Sequence, residues 1–168
     1  MFAGHWGSEK KWNIREILMT SSKDLVNWTE PRLVLRSDDH EKFFNVSVCR
    51  GRDEFIMLVE SNDPEWPTFT FKYYRSKDLV HWEKVPDALY GVDKYVGGPA
   101  LYFEGDNFYT LYLQSLGKGF YETRIARSND LVRWEDAPDG RPFATYQPEN
   151  KIHPLRPANL REKNASDV

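Results

Sequence analysis

Apolar and polar positions alternate with a period of two over most of this chain, and the alternating segments recur in a fixed order. "NVSVCR" (Asn45 to Arg50), "FIMLVES" (Phe55 to Ser61) and "TFTFKYYR" (Thr68 to Arg75) form one set. "GPALYFE", "NFYTLYLQS" and "FYETRIAR" form another, its first two members joined through "GDN". Such alternation, rich in β-branched and aromatic residues and broken by Gly, Asp and Asn, predicts antiparallel strands. A short fourth strand follows in each set, near "WEKVP" and after Trp134. "MFAGHW" and "NIREILMTSS" read as the second and third strands of an earlier, incomplete set. No window of useful length carries a helical period, so no helix is expected.

One heptad closes the third strand of every set: Ser-(Lys/Asn)-Asp-Leu-Val-x-Trp, starting at Ser22, Ser76 and Ser128, spacings of 54 and then 52 residues. A period of this size marks one supersecondary unit used repeatedly. The Asp is expected to accept backbone N–H bonds from residues just ahead and so fix the turn into the fourth strand. Leu and Trp are expected to bury apolar surface between units, which makes Asp24, Trp28, Asp78, Trp82, Asp130 and Trp134 scaffold. Repeated four-stranded units predict an all-β fold, a β-propeller of antiparallel blades. Propellers close with about four to eight blades, whereas this length supplies about three. The expected division of the single partial domain 1–168 is a blade remnant at 1–36, blades at 43–87 and 96–145, and the start of a further blade at 160–168. The chain thus reads as a piece of a longer protein, with flanking blades or an oligomeric neighbour needed to cover its open faces.

Composition narrows the partners. Formal net charge is −3 and the 23 basic residues are scattered, which gives no nucleic-acid footprint. No apolar run approaches the ~18 residues of a membrane span, and the first residues lack the charged and apolar regions of a signal peptide. The single cysteine, Cys49, sits within a strand pattern and reads as a small buried hydrophobe. No cofactor is expected. The acidic stretches "SDDHE" (Ser37 to Glu41) and "NDPE" (Asn62 to Glu65) offer oxygen ligands for a structural calcium ion, but they lack the pattern of a dedicated loop and read rather as solvated acidic loops.

In a propeller the first strand of each blade lines the channel, and its start meets the end of the second strand at one face. That face collects Asn45 and Glu60 from one blade, Gly97, Gly98 and Gln114 from the next, and Asp167 from the beginning of the last, with His5 and Trp6 ending the second strand of the first. Glu60 ends the apolar strand "FIMLVE", where burial would raise its pKa toward that of a general acid; the alternative is a solvated or Arg-paired strand end. Asp167 in "NASDV" suits a catalytic or sugar-binding acid, or caps a loop. His5, Trp6, Asn45, Gln114 and Arg124 are candidate substrate-binding groups, His5, Gln114 and Arg124 having structural alternatives too.

The stretches "SKDLVHW" and "GGPALYFEGDNFYTLYL" resemble the five-bladed propeller glycoside hydrolases, especially family 43 and its relatives. The resemblance implies a carbohydrate-active protein, with hydrolysis by two carboxyl groups, a plant or algal glycan as substrate, and an extracellular or periplasmic setting. Such a pair stands about 5–5.5 Å apart for retention and about 6.5–9.5 Å apart for inversion. Where the family commonly has Asp-Pro-Ser this chain has "NVSVC", with Asn45 at the acidic position; where it has Glu-Gly-Pro this chain has Gly97, Gly98 and Pro99. Glu60 and Asp167 are the acids left to take those roles. The alternative is a non-catalytic propeller that binds glycans or proteins on the same face.

Overall fold

The computed structural model describes residues 1–5, 13–67 and 69–145. Three antiparallel sheets follow one another along the chain. The first is β1 (Phe2–His5), β2 (Glu16–Met19) and β3 (Arg32–Arg36). The second is β4 (Lys42–Arg50), β5 (Phe55–Asn62), β6 (Thr70–Ser76) and β7 (Glu83–Tyr90). The third is β8 (Gly97–Glu104), β9 (Asn107–Gly117), β10 (Phe120–Ser128) and β11 (Glu135–Asp136), followed by a single 3-10 turn at Pro138–Gly140. Each sheet is a simple meander, as the alternation predicts, and no α-helix occurs among the described residues.

The heptads form the same turn three times. In each, the Ser hydroxyl donates to the Asp side chain, and Asp Oδ1 accepts the backbone N–H groups two and three residues on, at 2.8–2.9 Å. The Trp indole N–H donates to the Leu carbonyl. These bonds hold Leu25, Leu79 and Leu131 at positive φ (63°, 67° and 67°), a left-handed geometry that a branched side chain adopts only under such constraint. The same bonds hold Asp24, Asp78 and Asp130 well below the usual carboxylate range, the backbone N–H three residues on contributing most.

Apolar packing joins the sheets. Ile56, Leu58, Phe71 and Tyr73 of the second sheet pack with Leu101, Phe108 and Tyr112 of the third. Met57, Val59 and Tyr74 turn the other way, toward Ile17 and Phe2 of the first. The second and third heptads lean back on the preceding sheet: Trp134 stacks on Tyr73 with centroids 5.2 Å apart, and Trp82 meets Phe2 edge-on at 5.9 Å. Here the structure corrects the expectation that every heptad is buried. Leu131 is 5 % exposed, but Leu25 is 78 % and Trp28 42 % exposed, because no described residue packs on that side of the first sheet. Trp134→Ala is expected to destabilise the protein by about 3 kcal/mol, from lost burial and lost stacking on Tyr73 and Tyr90. Urea unfolding measures it, and a loss below about 1 kcal/mol would show that the stack contributes little.

Candidate functional site

Two β-bulges shape the end of the second and third sheets where their first strands begin. The β4–β5 register shifts between Phe43 and Val46, and the β8–β9 register shifts between Gly97 and Ala100. A bulge inserts an unpaired residue and re-aims its neighbours. Here the bulges free Asn45 and Gly98, and both turn to Glu60. Asn45 Nδ2 donates to Glu60 Oε2 at 3.0 Å, and the Gly98 N–H donates to the same oxygen at 2.8 Å. Among the described residues Oε1 accepts no hydrogen bond. Glu60 is only 3 % exposed. Burial raises its pKa above the ordinary value, and the Asn45 and Gly98 bonds offset part of that rise.

Gly98 sits at φ +57°, and a Cβ there would meet nothing closer than Leu113 Cδ1 at 3.4 Å. Space is therefore not the constraint; the backbone is. Gly98→Ala is expected to cost about 1–2 kcal/mol, the penalty for an L-residue in the left-handed region. Thermal denaturation checks it, and an unchanged melting temperature would mean the bulge relaxes freely.

Glu60 forms part of a cavity of about 580 Å³ that it shares with Phe2, Gly4, Asn45, Phe69 and Tyr95, among others. Phe44, Phe69 and Tyr95 of its lining make a chain of ring contacts that continues outside it to Tyr121, with centroids 4.8, 5.5 and 5.9 Å apart. A buried carboxyl beside aromatic rings can protonate an oxygen, hold a hydroxyl, or both.

The sequence-derived candidates divide. Asn45 and Glu60 meet directly. His5 lies outside the cavity lining, its Nδ1 3.1 Å from Glu16 Oε2, and Glu16 also pairs with Arg36 at 2.5 Å. Arg124 is held by the Gly140 carbonyl at 2.7 Å and Glu122 at 2.8 Å, which ties β10 to the turn after β11. Gln114 stands opposite Glu122 near the end of β9, clear of the cavity. Trp6 and Asp167 lie outside the described residues. The acidic loops do converge, but on an ammonium group: Lys72 Nζ is 2.6 Å from both Glu41 Oε1 and Asp63 Oδ2. Among the described residues no group of three or more His, Cys, Asp or Glu side chains is placed to hold a metal ion, and no helix is long and apolar enough to cross a membrane. The sequence pattern does not mark the cavity aromatics: it puts Phe69 inside the strand "TFTFKYYR", whereas β6 begins only at Thr70, and Tyr95 lies in the loop "KYVGG", outside any alternating segment.

No family model matches the chain. Among solved structures it is similar to the GH32 beta-fructofuranosidase BmSUC1 of Bombyx mori, with a TM-score of 0.65 and 21 % sequence identity over 80 % of this chain. A mutant of that enzyme in complex with sucrose gives a TM-score of 0.61 at 20 % identity over the same share. The chain spans 31 % of the length of each. At that identity the likeness establishes the fold, and the chain is a partial β-propeller of the architecture that this glycoside hydrolase uses.

Proposed function

We propose that this chain forms part of the sugar-binding face of a glycoside hydrolase whose propeller is completed, to about five blades, by sequence beyond it. The observation that carries the reading is the burial of the Glu60 carboxyl in an aromatic-lined cavity. A carboxyl with a raised pKa is suited to protonate the leaving oxygen of a glycosidic bond. Asn45 and Gly98 fix one of its oxygens, so the other meets substrate in one orientation. Asp167 takes the role of second carboxyl group, as base or nucleophile. The likeness to an enzyme solved with sucrose supports a small glycoside as substrate.

A second reading has its own support: the acidic positions that the resemblance anticipates are Asn45 and Gly97 here, which favours a propeller that binds glycans without cleaving them. Incubating the full-length protein with sucrose, aryl glycosides and plant oligosaccharides, and following both heat of binding and released sugar, separates the two. Release of reducing sugar is the expected result. Binding without release supports the second reading, and neither would overturn both.

A further inference from the structure

Gly97 is buried at the start of β8, and its missing side chain is accounted for by a neighbour. A Cβ built there would lie 3.0 Å from the Tyr95 hydroxyl oxygen, 3.2 Å from Cε1 and 3.3 Å from Cζ. The phenol tip of Tyr95 therefore crowds the space that a side chain at 97 would enter, and would have to shift by a few tenths of an ångström to admit even a methyl group. Tyr95 shares the cavity with Glu60, and its ring is held between Phe69 at 5.5 Å and Tyr121 at 5.9 Å. Among the described residues its hydroxyl makes no hydrogen bond, whereas the polar side chains beside it in the same wall, Asn45 and Glu60, are bonded to each other and Glu60 also to Gly98. The Tyr95 hydroxyl is not one of the buried atoms left without a partner, so water reaches it and a ligand can take that water's place.

We infer that Tyr95 is a positioning residue of this site, its phenolic hydroxyl hydrogen-bonding one hydroxyl group of the bound sugar from its place beside Gly97. The inference rests on the cavity being the carbohydrate site proposed above. The phenol acts as a neutral group: burial, then the neighbouring Tyr121 and Glu60, disfavour its ionisation. A neutral hydroxyl can both donate and accept, so it can match a sugar hydroxyl in either sense. Gly97 contributes by absence, since its hydrogen leaves the ring its seat.

The test uses the full-length protein, calorimetric titration, and sucrose, xylobiose, arabinobiose and cellobiose with their monodeoxy derivatives. Tyr95→Phe keeps the ring and removes the oxygen. It is expected to weaken the best-bound sugar about three- to tenfold, the worth of one net hydrogen bond, with no change in melting temperature. The derivative lacking the recognised hydroxyl should bind wild type and variant equally, which closes a double-mutant cycle. Gly97→Ala, which pushes on the phenol tip, should weaken the same sugar while leaving Tyr95 in place. Equal binding of the parent sugar by wild type and Tyr95→Phe overturns the inference, as does an equal loss for every derivative with a lowered melting temperature, which would mean packing alone. A wild type that binds none of the sugars overturns the carbohydrate site itself; one that binds them without regard to Tyr95 overturns only its role.

Discussion

Lys72→Met is expected to destabilise the protein by about 3–5 kcal/mol at neutral pH, the usual cost of removing one partner from a buried ion pair. The Lys72 side chain is 3 % exposed and its ammonium bridges Glu41 and Asp63 at 2.6 Å each. The Ser61 hydroxyl also donates to Glu41. Methionine fills similar volume, so the loss reports charge rather than a cavity. Burial alone would lower the Lys72 pKa, but its bonds to Asp63 and Glu41 outweigh burial and raise it. Burial likewise pushes Asp63 up, and its bonds to Lys72 and to the Glu65 N–H, together with the nearby lysine charges, more than reverse that, leaving Asp63 below its ordinary 3.8. The signs set the window. A depressed Asp63 contributes stability that is present above its ordinary pKa and lost as pH falls through the depressed one; a raised Lys72 contributes stability that is present below 10.5 and lost as pH rises through the raised value. The deficit of the variant should therefore be greatest near neutrality and shrink in acid, as the stranded Asp63 carboxylate takes up a proton. Urea unfolding at pH 7 and pH 4 measures this. A deficit below about 1 kcal/mol, or one that does not change with pH, would mean that water already reaches these carboxylates.

That cluster also shows where sequence stops being informative. In "TFTFKYYR" the alternation puts Lys72 on a face with Tyr74, an inward position for a charged residue, so a partner could be expected. Which partner could not be read, because "SDDHE" and "NDPE" carry several acids each, and their approach depends on how two loops fold over β6. The same division runs through the rest of the molecule. Strands, meander order and the Asp turns are local, set by period-two patterning and by hydrogen bonds within a heptad, and they were legible. The meeting of Glu60 with Asn45 was legible from blade geometry too, since both ends open on one face. The Gly98 contact was not, because it requires a bulge in β8 and a positive φ that no pattern of apolar residues encodes. Nor was the row Phe44, Phe69, Tyr95 and Tyr121, whose members are far apart in sequence and come from two strands and two loops.

Glu60→Gln carries the other large expectation: in the full-length protein it should lower turnover roughly 10²- to 10⁴-fold, the range for losing a general acid or base, without loss of stability. The substitution is nearly isosteric, and an amide oxygen can still accept the Gly98 N–H bond. What it removes is a carboxyl group whose charged form burial opposes. Because the folded pKa of Glu60 is raised above its ordinary 4.5, the contribution of this group to stability is fully present below that value and is lost as pH rises through the raised one. At pH 7 the wild type bears that loss and the glutamine variant does not, so the variant should melt at the same temperature or higher, and the gap should close as pH falls toward 4.5. If Glu60 is the acid, the alkaline limb of the kcat/KM profile should also follow its deprotonation and move out of range in the variant's residual activity. The competing role is a brace, in which Glu60 only ties the second sheet to the Gly98 N–H. A brace makes the opposite forecast for activity: turnover within a fewfold of wild type, because the amide oxygen still holds the Gly98 N–H. Measuring both quantities on one preparation decides between them, because a loss of turnover together with a preserved fold is what only a reacting group can give.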